Sequence, residues 1–161
     1  MAETPAPTAE HIRALPKVEL HVHVEGAAPA TTVAELARAN GVDLGVDDPA
    51  DLYRYRDLAD FLRVFDLVCA TLVRADDIAR VTYESVLIAA EAGVRRREIF
   101  FSPTFLLRKG VAFPTIWEGI TAGISGARDD VGIDCTMICD VDKPSGPGPA
   151  RELIDLAAAC D

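Results

Sequence analysis

The chain is short of basic residues, cysteines and long apolar runs, and each shortage removes a class of protein. Its 16 Lys and Arg face 26 Asp and Glu, for a formal net charge of −10. No basic surplus is there to neutralise phosphates, which disfavours general nucleic-acid binding. The four cysteines, Cys69, Cys135, Cys139 and Cys160, are too few for a disulfide scaffold, and none forms the C-x-x-C pair of a zinc ribbon or redox motif. They read as reduced core residues. No stretch approaches the roughly 18 apolar residues of a membrane-spanning helix, and Met1 to Glu10 lacks the basic and apolar pattern of a signal peptide. The expectation is a cytoplasmic protein with a small-molecule partner, no nucleic acid and no membrane, its oligomeric state open.

What is present is ordinary globular material: 161 residues, 50% apolar and 26% charged, enough for one core. Residues 1–10, with Pro5 and Pro7, read as a flexible lead-in, and residues 11–161 as the folded part. A strand is expected over Val18 to Glu25, then a helix from Ala30 to Asn40, with Thr31 or Thr32 as N-cap and Gly41 as the stop. Leu58, Phe61, Leu62, Phe65, Val68 and Leu72 trace an apolar helical stripe. Further helices are expected at about Asp76 to Ala92, Phe113 to Ala127 and Ala150 to Cys160, with strands at Arg97 to Ser102 and Asp134 to Val141. Repeated βα units build a parallel sheet. Periodicity alone leaves two architectures: a small open sheet, or the first three to four βα units of a (β/α)₈ barrel, which needs about 250 residues when whole.

The informative segment is Leu15-Pro-Lys-Val-Glu-Leu-His-Val-His-Val-Glu-Gly26. Unbroken alternation puts Val18, Leu20, Val22 and Val24 on one face and Glu19, His21, His23 and Glu25 on the other. At about 3.3 Å per residue, His21 and His23 project to one side close enough to converge on one divalent metal. Glu25 would lie on the same face at the strand's C-terminal end, where ligands bind in parallel βα folds. The alternative is a buried strand whose histidines are satisfied by hydrogen bonds. Four inward polar residues are costly to bury unpaired, at about 1–3 kcal/mol each.

The string L-P-K-x-E-L-H-x-H-x-E-G resembles the opening of the adenosine and adenine deaminase family of metal-dependent amidohydrolases. Ala59 to Asp66 (A-D-F-L-R-V-F-D) resembles that family's helix after the first unit, and Glu98 to Pro103 (E-I-F-F-S-P) its second barrel strand. The resemblance covers nearly all of residues 14–142. It implies a (β/α)₈ barrel, one zinc per complete chain with His21 and His23 among its ligands, and a purine substrate pocket that includes His23 and Glu25. It implies that Phe61, Leu62 and Phe65 form an apolar wall or lid, although core packing accounts for that stripe equally well. The implied chemistry is hydrolytic: a metal-activated water attacks the purine carbon bearing the amino group, and ammonia leaves.

Family members also supply a third histidine ligand, an H-x-G-E proton shuttle, a histidine that orients the water and a late Asp-Asp pair. None of these is found here, His11 being the one remaining histidine, so no catalytic residue is assigned and the 161 residues alone are expected to be inactive. Glu25 stands where adenosine deaminases usually carry Asp, and Phe100 where many carry Arg; both choices are nearer to adenine deaminase-like relatives. The competing readings are another amidohydrolase-type hydrolase, which shares H-x-H but not the rest of the string, and a non-catalytic half-barrel binding module.

Overall fold

The computed structural model describes residues 6–160. Its elements run α1 (Ala9–Ala14), β1 (Lys17–His23), α2 (Ala30–Asn40), α3 (Leu58–Thr71), α4 (Ala75–Glu91), β2 (Val94–Phe101), α5 (Pro103–Arg108), α6 (Phe113–Val131), β3 (Asp134–Cys139) and α7 (Pro147–Ala158). Residues 1–5 of the expected lead-in lie outside the described part. Helix α1 starts inside that lead-in because the Thr8 hydroxyl accepts from the His11 amide and caps it. Among the described residues no helix is long and apolar enough to cross a membrane.

Local signals place several boundaries. Gly41 ends α2 in the left-handed conformation (φ 69°), as expected, but the N-cap is Pro29 and not a threonine. Thr32 lies inside the first turn, buried, and its hydroxyl donates to Glu84 of α4. Asp57 caps α3 by accepting from the Asp60 amide. Strand β2 begins at Val94, three residues before the expected start, because the run Arg95-Arg96-Arg97 is extended by its neighbours. Arg96 pairs in register with Val18 on one side and Asp134 on the other, and its guanidinium meets the Asp134 carboxylate at 2.6 Å. The short helix α5 was not expected; Pro103 occupies its first turn, where a missing amide hydrogen costs nothing.

The three strands form one parallel sheet in the order β1-β2-β3. Helices cover one face of it. There Ile99 and Phe101 of β2, both 0% exposed, share a core with Val81 and Val86 of α4 and with Phe113, Ile116 and Ile120 of α6. Helices α4 and α6 approach closely because α6 carries glycine at two positions one turn apart. A Cβ on Gly119 would stand 2.7 Å from the Ala75 carbonyl oxygen, and one on Gly123 would stand 2.6 Å from that of Ala79.

The expected alternation in β1 does not survive. Glu19 pairs with Arg97, yet Val22 pairs with Ile99, so β1 spends three steps where β2 spends two. The extra residue is a β-bulge, and it exchanges the faces. Before it, Glu19 turns to the helix-covered face, where its carboxylate sits 2.6 Å from the Nε of buried Arg97. That contact is an ion pair and not an aligned hydrogen bond; the Arg97 guanidinium donates instead to the Ser85 hydroxyl at 3.0 Å. Val18 and Leu20 therefore fall on the open face, 60% and 61% exposed. After the bulge His23 takes the open face, in register with Phe100. His21 sits within the bulge at φ 64°, the single non-glycine residue of positive φ among the described residues.

The glycine seam yields a stability test. Gly123→Ala forces a methyl group against backbone and should cost about 1–3 kcal/mol, whereas Gly148→Ala in α7, where a Cβ meets nothing within 4 Å, should change stability by less than about 0.5 kcal/mol. Chemical denaturation of the two variants side by side reads the difference.

Candidate metal centre

The candidate site occupies the C-terminal ends of all three strands. β1 ends at His23, and the chain continues through Val24 in helical backbone into a 3₁₀ turn, Glu25–Ala27. Glu25 is thus not the next alternating residue of the strand. The Val24 amide donates to the Phe100 carbonyl at 2.9 Å and the Asp140 amide to the Phe101 carbonyl at 3.1 Å. These bonds carry the sheet's registry into the loops and bring Glu25, Ser102 and Asp140 beside the histidines.

The two imidazoles converge. Nε2 of His21 lies 3.3 Å from Nε2 of His23. Two nitrogens each about 2.0–2.1 Å from one tetrahedral zinc stand about 3.3–3.4 Å apart, so the spacing fits two ligands of a single ion. Among the described residues no cluster of three or more His, Cys, Asp or Glu accompanies them.

The hydrogen-bond network around His23 assigns its tautomer. Its Nδ1 is 3.1 Å from the Ser102 hydroxyl oxygen, and that hydroxyl is 2.9 Å from Oδ2 of Asp140. An ionised carboxylate only accepts, and a serine has one hydroxyl proton to give. Ser102 therefore donates to Asp140 and accepts from His23 Nδ1–H, which leaves the Nε2 lone pair free on the side facing His21. Partial burial lowers the His23 pKa; Asp140 pulls it upward and His21 adds to the lowering.

Ser102 also holds Glu25, through its backbone. Its amide donates to Oε1 of Glu25 at 2.8 Å. Glu25 is 1% exposed and its Oε2 has no hydrogen-bond partner. Burial raises its pKa to about 7, against the lowering effect of the Ser102 amide. Sequence reasoning names His21, His23 and Glu25 as candidates and passes over Ser102 and Asp140, which the fold brings next to them. The available signal was positional: each is the first residue after a strand that runs parallel to the histidine strand.

Beside His23 an apolar cavity of about 250 Å³ opens between α3 and α5. Phe61, Leu62 and Phe65 form one wall and Phe105 another, with His23, Ser102 and Asp140 at its polar end. Phe65 meets Phe105 edge to face at 5.2 Å and His23 at 6.4 Å. The stripe thus divides, with Val68 and Leu72 in the core, Phe61, Leu62 and Phe65 lining the cavity, and Leu58 exposed. A larger groove of about 380 Å³ lies away from the histidines, lined by Trp117, Met137 and Leu153, and holds no carboxylate or imidazole.

Parallel βα units with paired histidines and carboxylates at the strand ends define an amidohydrolase-type half-barrel. The adenosine deaminase family profile matches residues 16–160, and the chain belongs to that family. Adenine deaminase from Schizosaccharomyces pombe is 33% identical over 141 residues, 82% of this chain and 38% of the relative. Aminodeoxyfutalosine deaminase from Acidothermus cellulolyticus is 31% identical over 149 residues, 91% of this chain and 42% of the relative. An amidohydrolase from Burkholderia ambifaria, solved with bound Zn, superposes with a TM-score of 0.87 at 30% identity, over 98% of this chain and 44% of that one. The chain therefore spans about two fifths of the length of these curated relatives, and its sheet corresponds to the N-terminal part of a (β/α)₈ barrel.

The tautomer assignment has a direct test. In metal-free chain, long-range ¹H–¹⁵N spectra should show His23 protonated at Nδ1 with a pyridine-type Nε2. Ser102→Ala, which keeps the backbone donor to Glu25, should move His23 toward a tautomer mixture. A His23 protonated at Nε2 in the wild-type chain would contradict the assigned hydrogen-bond direction.

Proposed function

We propose that this chain forms the metal-holding and base-binding part of a zinc-dependent hydrolytic deaminase acting on an aminopurine or aminopurine nucleoside. The observation that carries the proposal is the 3.3 Å approach of the two imidazole Nε2 atoms at the strand ends, next to a cavity walled by aromatic rings. His21 and His23 would hold the ion, which when bound supplies a water acidified toward neutral pH. Ser102 and Asp140 keep the His23 lone pair aimed at it, as the outer shell of a metal site does. Phe61, Phe65 and Phe105 offer faces and edges against which a planar purine packs, and exclude bulk water from it. His23 stands at the polar end of the cavity as a substrate-facing group, and Glu25, the second group assigned to substrate, is buried behind that lining and fixed by the Ser102 amide. The deaminases among the relatives support the reaction class, and their differing substrates keep the proposal at aminopurines as a class.

The protein in its complete form should carry about one zinc per chain, lost when His21 and His23 are both replaced by Ala, since two ligands of an ordinarily four-coordinate ion disappear. Elemental analysis of wild type and variant decides this, and unchanged zinc content would refute the ligand assignment. Residues 1–161 alone, given Zn²⁺ and either adenine or adenosine, should release no ammonia, because His21 and His23 do not complete a ligand set. Turnover by this chain would overturn the proposed division of the site.

A further inference from the structure

We infer that Phe100 is the positioning residue of His21, holding its imidazole by ring stacking where His23 is held by hydrogen bonds; the inference rests on the zinc site proposed above. The two histidines are steadied in different ways. His23 is anchored through Nδ1 to Ser102 and, beyond it, Asp140. His21 is exposed and sits on left-handed backbone, and its imidazole makes its one hydrogen-bond contact among the described residues through Nε2, to His23. Once that nitrogen faces a metal, no hydrogen bond remains to set the rotation of the ring.

Phe100 supplies the missing constraint. Its ring lies 4.2 Å from that of His21, centroid to centroid, inclined by 31°, and 5.6 Å from that of His23, inclined by 32°. One phenyl ring thus backs both imidazoles. Phe100 is itself placed by the sheet: it pairs in register with His23 and Ile138, and its carbonyl accepts from the Val24 amide. The bulge turns His21 onto the open face, and Phe100 is the flat surface it meets there. A branched aliphatic side chain fills the space without offering that surface, whereas tyrosine keeps it.

The test uses the 161-residue chain as wild type, Phe100→Leu, Phe100→Met and Phe100→Tyr. Ring-proton resonances of His21 are recorded without metal, and the same resonances are then followed as ZnCl₂ is added. Phe100→Leu and Phe100→Met should both move the His21 resonances downfield, out of the phenyl ring current, and weaken zinc binding about tenfold, the lower end of what losing an outer-shell partner costs a metal site. Phe100→Tyr should leave both readings as in wild type. His21 resonances that stay in place in the Leu and Met variants overturn the inference, and so does unchanged zinc affinity in both. Zinc that fails to perturb His21 in the wild-type chain would count against the metal assignment, while the metal-free spectra still decide the stacking.

Discussion

The site depends on one extra residue in β1. Between Glu19 and Val22 the strand advances three positions against two in β2, and because side chains alternate with a period of two, that insertion exchanges the faces for everything beyond it. Upstream, the helix-covered face receives Glu19, whose charge is met by buried Arg97. Downstream, the same parity would have sent His23 to the open face only at the expense of Glu19's partner. The bulge satisfies both, at the cost of a non-glycine residue in left-handed backbone at His21, a strain of about 1–3 kcal/mol.

Ser102 joins the three strands chemically. Its backbone amide fixes a carboxylate that follows β1, and its hydroxyl connects an imidazole of β1 to the carboxylate that follows β3. Glu25 is buried with one oxygen unpartnered, an arrangement costly for a charged group and one that raises its pKa to about 7. Strained backbone, a buried acid and an asymmetric pair of imidazoles within one small region are what a functional site looks like where local rules are broken. Elsewhere the chain keeps closer to local rules: side-chain caps on α1 and α3, a glycine seam between α4 and α6, and an apolar layer on one side of the sheet.

The opposite side of the sheet is largely uncovered. Val18 and Leu20, each about three-fifths exposed, lie on the face that also presents His21, His23 and Phe100. In a closed barrel that face is the packed interior. Here three strands cover only the arc that corresponds to the N-terminal part of the related amidohydrolase. The same geometry explains why the candidate site is a pair of histidines with an outer shell and one aromatic wall: these are the contributions of three strand ends and the helices next to them.

By itself the sequence determined the βα order, the helix built on the Phe61 and Phe65 stripe and the stop at Gly41, because these depend on near neighbours in the chain and on periods of 2 and 3.6; His21 and His23 do converge, but through the bulge and not through the unbroken alternation from which their meeting is expected. Its resemblance to deaminases, carried by residues 15–26, pointed to the family that the profile match then established. Tertiary structure decided what depends on residues far apart in sequence. The bulge exists because β1 must pair with β2, seventy-odd residues later, and no local pattern in Glu19 to Val22 announces it. Strand β2 reaches back to Val94 because Lys17 and Val18 of β1 and Asp134 of β3, all distant in sequence, pair with its first residues. Ser102 and Asp140 join the site only when parallel pairing sets three strand ends side by side, since a serine and an aspartate after two separate strands carry no signal until the sheet brings them within 2.9 Å.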